Sequence, residues 1–302
     1  MNKLLLVISL LIFITVPTVA WSQDCTADDG TDGVELWGEC YSIENTTYLN
    51  LSNSGLTGEI PTEIGNLMNL QYLQLQFNEL AGEIPSSIGD LVSLFSLEFN
   101  NNQLTGEIPS VIGNLTNLTN LELQGNQLSG ELPNSIYNLT DLRYIDFSGY
   151  DGNQLSGELS SDIANLVNLE YLHLFGNNFT GGIPVELWSL PSLRQFTVGG
   201  NEFTQELPSE IGNAVNLTWL DLGGNNISGS LPEEIGSLIN LESLNFSADL
   251  ESDSRLSGEI PSTIGNLVNL RNLHLEGHNL SGELPSSIGD LSNLEQLNLG
   301  DN

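Results

Sequence analysis

From residue 47 onward, apolar and polar positions follow one fixed order. In residues 70–94, Leu73 and Leu75 alternate with Tyr72, Gln74 and Gln76, the period-two pattern of a strand with one buried face. Asn78, Leu80, Gly82, Ile84-Pro85, Ile88-Gly89 and Leu91 follow, and the cycle restarts. The tripeptides Glu59-Ile60-Pro61, Glu83-Ile84-Pro85, Glu107-Ile108-Pro109 and Glu131-Leu132-Pro133 mark a 24-residue period by their numbers alone (59, 83, 107, 131). A period in this range predicts a solenoid, in which each coil buries its apolar face only against its neighbours.

Paired strand positions recur from Leu49/Leu51 through Leu73/Leu75, Ile145/Phe147, Leu172/Leu174 and Leu220/Leu222 to Leu297/Leu299, eleven pairs in all. Stacked in parallel about 4.8 Å apart, they predict one continuous concave sheet. An asparagine follows most strands: Asn78, Asn102, Asn126, Asn153, Asn177, Asn201, Asn225 and Asn302. Buried in the stack, each amide can satisfy backbone groups of neighbouring coils. Ser54, Ser254 and His278 occupy the equivalent place and are expected to break this ladder. Two steps are longer than 24 residues: Phe147 to Leu174 (174 − 147 = 27) and Phe246 to Leu275 (275 − 246 = 29). Their extra residues fall at 148–152 and 247–253. Insertions in such arrays often collect on the binding face, although lengthening a loop also costs little.

The repeat L-x-x-L-x-L-x-x-N-x-L-S/T-G-x-I/L-P-x-x-I-G-x-L, over roughly residues 47–302, resembles the plant-type extracellular leucine-rich repeat. The resemblance implies an α/β solenoid: a right-handed superhelix with one parallel concave sheet of about 11 strands and a convex side of loops and short 3₁₀ segments. It also implies a second small sheet at L-S/T-G-x-I-P. Leu36-Trp37-Gly38-Glu39-Cys40 resembles the family's N-terminal cap, with Trp37 covering the first coil, though the family's cap usually carries more cysteines.

Residues 1–20 read as a secretory signal. Lys3 supplies the positive start, residues 4–16 the apolar core and Thr18-Val19-Ala20 a small-residue cleavage site. That core is shorter than the ~20 residues a membrane span needs, and no later segment is apolar enough to cross. Cys25 and Cys40, the only cysteines, read as a disulfide in an exported chain, worth about 3 kcal/mol in the chain-entropy model. The expected organisation is a leader at 1–20, a disulfide-closed cap at 21–46 and repeats at 47–302. The chain stops just after the eleventh strand without a polar capping coil, so the expectation is a truncated array.

The chain carries 39 Asp and Glu against five Lys and Arg, a formal net charge of −34. Such a surface repels phosphate backbones and anionic lipid, which argues against nucleic acid as a partner. Divalent cations, basic proteins and uncharged glycans fit it better. Glu59, Glu83, Glu107, Glu131, Glu158, Glu206, Glu259 and Glu283 hold the same place in their coils and are expected to form a like-charge column, broken at Gly182 and Ser230. The cap holds a calcium-like string, with Asp28, Asp32 and Glu39 as weak candidate ligands. It departs from the pattern where Gly30 replaces a ligand, and no flanking helices are evident. Asn-x-Ser/Thr occurs at ten sites from Asn45 to Asn279, most of them generated by the repeat itself.

Outward strand residues form columns down the concave sheet. In the middle coils Tyr144, Tyr171, Phe175 and Trp219 interleave with Asp146, His173 and Asp221, and the two insertions bracket them. Exposed aromatics with a few convergent polar groups have the chemistry of a recognition site. The row Asp146, His173, Thr197 brings an acid–base pair together, but an open sheet offers neither a deep pocket nor oxyanion donors. The expectation is therefore a non-enzymatic module, without cofactor, that binds a protein, peptide or glycan on its concave face. It would be secreted or at the cell surface. The resemblance admits a receptor ectodomain or a free binder such as an inhibitor of cell-wall-degrading enzymes. A structural or ice-binding surface is the alternative from another class.

Overall fold

A computed structural model describes residues 24–149, 152–248 and 255–302. The expected leader, Ser254 and the centres of both insertions lie outside the described residues.

Eleven three-residue strands, from Tyr48–Asn50 to Gln296–Asn298, form one parallel sheet in strict sequence order. The pairing is in register throughout: Tyr144 lies beside Tyr171 and Asp146 beside His173, and Trp219 lies beside Gln195. Each strand but the last therefore buries its central residue, such as Leu121, Leu172 or Leu220, and presents the flanking pair on the concave face.

The other side of the coil is built from ten 3₁₀ turns among the described residues, from Thr62–Asn66 to Ser286–Asp290. Nine begin after a proline, which has a fixed φ and lacks the N–H that a helix start would leave unpaired. The exception follows Ser160, whose hydroxyl accepts the Asp162 N–H. Isoleucines such as Ile88 and Ile112 point from these turns into the core with no exposure. Between sheet and turns lies the second set of strands that the resemblance implied. Six strands, from Thr57–Gly58 to Asn178–Thr180, form one sheet; two pairs, Thr204–Glu206 with Asn226–Ser228 and Ser257–Gly258 with Asn279–Leu280, form separate ones.

The asparagine ladder is present and its chemistry is explicit. Asn126 Oδ1 accepts the Leu104 N–H (3.0 Å), and its Nδ2 donates to the Phe99 and Leu123 carbonyls (3.0 and 3.0 Å). Each amide thus ties its own coil to the preceding one. His278 does not break the ladder as expected; it replaces an asparagine within it. Its Nδ1 accepts the Leu256 N–H (3.2 Å) and its Nε2–H donates to the Phe246 carbonyl. An imidazole has one acceptor and one donor only when neutral. Burial pushes its pKa below the ordinary 6.5; the Phe246 carbonyl and Glu276 oppose that shift and Arg255 adds to it. The unfolded chain therefore takes up the proton first, and the stability held by the neutral ring is complete above pH 6.5 and lost as pH falls. We expect His278→Asn to remove this loss, so that Tm falls less than in the wild type between about pH 7 and about pH 5. Parallel curves would contradict the assignment. A second ladder on the exposed edge was missed in the sequence: Asn117, Asn168, Asn216, Asn240, Asn269 and Asn293 each donate to a carbonyl of the preceding coil, and Asn69 donates to the Glu44 carbonyl at the end of the cap.

The glutamate column has a structural reason. Gly106 sits at φ 79°, and the stem of Glu83 in the preceding coil covers it so closely that an added β-carbon would collide with the Glu83 Cγ at 2.8 Å. The same stacking recurs at Gly130 beneath Glu107 and Gly157 beneath Glu131. Where Gly182 replaces the glutamate, Gln205 (φ 154°) replaces the next glycine. A β-carbon on Gly182 would fall on Gln205 Oε1, and Gln205 Nε2 donates to the Ile183 carbonyl (3.0 Å). The two departures compensate each other. The carboxylates themselves remain stacked in line along one edge, so salt should relieve their repulsion. Tm is expected to rise across a salt series; a flat or falling curve would contradict the column.

Close stacking of the 3₁₀ turns requires glycine at most coils. At Gly89, for example, a β-carbon would meet the Val111 Cβ at 2.6 Å. Tyr137 and Trp188 stand at the same repeat position and are buried at 3% and 0% exposure, so in these coils rings fill the space between turns. Tyr137 Oη accepts the Ser160 N–H (3.2 Å), and Trp188 packs edge-on against Phe196 with centroids 5.8 Å apart.

The cap is a three-stranded antiparallel sheet, Asp24–Thr26, Asp32–Leu36 and Glu39–Ser42, closed by the Cys25–Cys40 disulfide. The bond crosses Gly33, where any β-carbon would collide with Cys40 Sγ. Val34 and Leu36 join the solenoid core, and Trp37 packs against it half-buried, as the resemblance implied.

Candidate functional site

The concave face carries the residues singled out from the sequence, and the register fixes their neighbours. Asp146, Ser148, His173, Phe175, Gln195, Thr197, Trp219 and Asp221 line a shallow depression of about 260 Å³. Five of the seven expected residues are among them. The other two, Tyr144 and Tyr171, lie against its flank, with ring centroids 5.6 Å apart; each meets His173 edge-on, at 5.6 and 6.4 Å.

Alternation places these side chains outward, and small neighbours let them spread. Phe175 lies over Gly199 and Gly200; a side chain at Gly199 would meet both the Phe175 ring and Asp221 Oδ1. Trp219 is 44% exposed, a large apolar surface left to water. His173 Nδ1 stands 3.9 Å from Asp146 Oδ2 and its Nε2 lies 3.2 Å from Gln195 Oε1. Asp146 accepts the Ser148 N–H (2.9 Å), so residue 148, at the start of the first insertion, is part of the site wall. Burial pushes the Asp221 carboxyl above its ordinary range, against hydrogen bonds from the Gly223 N–H and Asn245 and the charge of His274. On the rim, Arg143 and Arg194 both reach Glu170, at 3.4 and 3.3 Å. The row Asp146, His173, Thr197 is adjacent as expected, but the second nitrogen of His173 is turned to Gln195.

A second aromatic cluster was missed. Tyr48, Tyr72 and Phe95 form a staircase at the N-terminal end of the same face, with centroids 6.0 and 6.1 Å apart. Tyr48 and Tyr72 share the column of Tyr144 and Tyr171, so the signal was present; Phe95 stands one residue earlier in its coil, where no column was sought. Between the clusters runs a polar network. The Tyr48 hydroxyl donates to Gln74 Oε1 (2.7 Å), and Gln74 Nε2 donates to Glu98 (3.0 Å).

The calcium-like string does not converge. Glu39 pairs with Leu36 at the turn of the cap hairpin, while Asp32 begins the strand at its other end, roughly 13 Å away at the usual rise per residue. Among the described residues no group of three His, Cys, Asp or Glu could hold a metal ion. Asp29, in the turn between the first two cap strands, organises that turn instead. The Thr31 hydroxyl, the Asn45 amide and the Thr31 N–H donate to it and hold its pKa down to about 2.

Comparison with known proteins places this geometry. A family model described as a leucine-rich repeat region matches residues 43–209, and the model of the single leucine rich repeat matches 216–238 and 269–291. No curated protein matches the chain. Among solved structures, the chain is 38% identical over 81% of its length to the plant peptide hormone receptor RGFR1 in complex with RGF2, at TM-score 0.75. It is 34% identical over 81% to the Arabidopsis receptor kinase HAESA in complex with the peptide hormone IDA and the co-receptor SERK1, also at TM-score 0.75. It spans 38% and 39% of those two chains. A plant ice-binding protein is 25% identical, at TM-score 0.55, over 88% of this chain and 87% of that one. No described helix is long and apolar enough to cross a membrane.

Proposed function

The chain belongs to the leucine-rich repeat family, and on that premise we propose that it is an extracellular, non-catalytic recognition module whose concave face binds an extended peptide. The observation that carries this reading is the in-register patch of Tyr144, Tyr171, Phe175 and Trp219 around Asp146, His173 and Asp221. An exposed Trp219 and three half-buried rings, next to the buried Asp146 and half-buried Asp221, supply apolar anchoring and fixed polar contacts together. The strands beneath are rigid and preordered, so little conformational entropy is lost in forming the site. The likeness to receptor ectodomains solved with peptide hormones supports a peptide as occupant. An export leader at residues 1–20 and a cap disulfide agree with an extracellular setting.

A random peptide library displayed on phage and panned against the chain tests the reading. Enriched peptides are expected to bind the Tyr171→Ala/Trp219→Ala variant about tenfold or more weakly. Unchanged affinity would remove the patch from the function.

The near full-length likeness to an ice-binding protein favours a second reading. Against it, the concave middle column runs Asn50, Gln74, Glu98, Glu122, Asp146, His173, Thr197, Asp221, Asn245, His274, Asn298. That order has one threonine and no regular array. Thermal hysteresis is expected to be absent, and its presence would reverse the ranking.

A further inference from the structure

We propose that the concave face is selective for a peptide bearing an arginine side chain, whose guanidinium seats over the row formed by Glu98, Glu122 and Asp146. This rests on the peptide-binding reading above and assigns a chemistry to the stretch between its two aromatic clusters. The three carboxylates occupy directly adjacent positions on neighbouring strands, about 4.8 Å apart, an arrangement that is unfavourable by itself.

The hydrogen bonds recorded to Glu98 and Glu122 all come from neutral donors. The Ser96 hydroxyl and the Gln74 and Gln76 amides serve Glu98, and the Asn120 and Gln124 amides serve Glu122. Asp146 accepts the Ser148 N–H and has His173 Nδ1 at 3.9 Å. Arg143, Arg194 and Arg271 are engaged elsewhere, by Glu170, Glu242 and Glu295.

A second observation points the same way. Asn100, two residues beyond Glu98 on the same face, is 6% exposed, and its Oδ1 has no hydrogen-bond partner. Gln76 and Gln124 hold the same place in the coils either side, two residues beyond the strand positions of Gln74 and Glu122. Each turns its Nε2 to a glutamate and leaves Oε1 unpartnered. A buried acceptor without a donor costs about 1–3 kcal/mol, and here three stand in line beside three carboxylates. Such a surface lacks donors and positive charge together. A guanidinium supplies both, with five N–H donors in one plane and no acceptor. Among the described residues no group could hold a metal ion. The flanking pairs Tyr72/Phe95 and Tyr144/Tyr171 offer ring faces for the aliphatic stem and the neighbouring residues. Burial, with Glu98 and Asp146 alongside, also pushes the Glu122 carboxyl above its ordinary range, as expected where a partner charge is missing.

The test pans one random peptide phage library against three forms of the chain: wild type, Glu98→Gln/Glu122→Gln, and Glu59→Gln/Glu83→Gln. The last removes the same charge from the edge column. Arginine is expected to be enriched on the wild type and on the edge variant, and not on the row variant. A synthetic enriched peptide should lose about tenfold or more in affinity on the row variant, and equally when its arginine is replaced by citrulline. Equal loss on the edge variant would reduce the effect to general attraction by an acidic protein and overturn the inference. Enrichment of peptides without charge preference would overturn it while leaving peptide binding intact. No enrichment on any form would overturn both.

Discussion

Asn126→Ala is expected to lower the unfolding free energy by about 2–4 kcal/mol, because it leaves the buried Leu104 N–H unpaired and takes one of two amide donors from the Phe99 and Leu123 carbonyls, which keep Asn102 and Asn153 respectively. Asn126 is 1% exposed, and its side chain serves Leu104, Phe99 and Leu123, which belong to two successive coils. The loss is expected to exceed that of a surface residue for a second reason. Coils in a solenoid contact only their neighbours, so weakening one junction weakens the coupling of everything on either side. Chemical denaturation should show a lower midpoint and a broader or two-step transition. Asn117→Ala is the matched comparison. Asn117 belongs to the exposed ladder, where one bond goes to the Val92 carbonyl (2.9 Å), and water can replace it; the expected cost is about 1 kcal/mol or less. Equal losses at the two positions would mean that burial of the ladder contributes nothing.

Trp188→Ala should cost a similar amount, about 3–5 kcal/mol, by opening a cavity in the core. Trp188 stands where most coils carry a glycine in close contact with the next turn. It is fully buried and meets Phe196 edge-on at 5.8 Å. The neighbouring turns are held apart by the ring, and the coils on both sides are fixed by two asparagine ladders, so the space left by alanine cannot close. Val185→Ala in the same turn, where the side chain is 45% exposed, should change the denaturation midpoint little. A loss at Trp188 no greater than at Val185 would show that the turns simply collapse together.

These positions also show what could be read from the chain and what could not. The concave columns were legible because a two-residue strand period and a 24-residue coil period together fix the neighbours of each outward side chain. Asp146 beside His173, and Trp219 one strand beyond Gln195, needed no further information. The buried ladder was legible from its recurring asparagine. His278 was misread because its place in the ladder depends on the separation of its two ring nitrogens, which matches an amide acceptor and donor only in the folded geometry. The exchange of Gly182 and Gln205 was invisible for another reason: the glutamate of one coil covers the glycine of the next, a contact between repeats that aligning them cannot reveal. The calcium-like string failed because spacing along the chain is not spacing in a hairpin, where Asp32 and Glu39 end up at opposite ends. Phe175 lies against Gly199, where a side chain would crowd its ring, a contact between coils that the repeat pattern does not display.

The regular coils provide stability, and the outward residues of the middle strands provide the surface proposed to bind. Hydrogen–deuterium exchange on the full chain, with and without a peptide enriched from the library, tests the assignment of that stretch as the binding site most directly. Peptide-induced protection is expected in the strands Tyr144–Asp146, Tyr171–His173, Gln195–Thr197 and Trp219–Asp221 and in the adjoining Glu98 and Glu122 strands. Protection confined to the 3₁₀ turns or to the glutamate edge would contradict it.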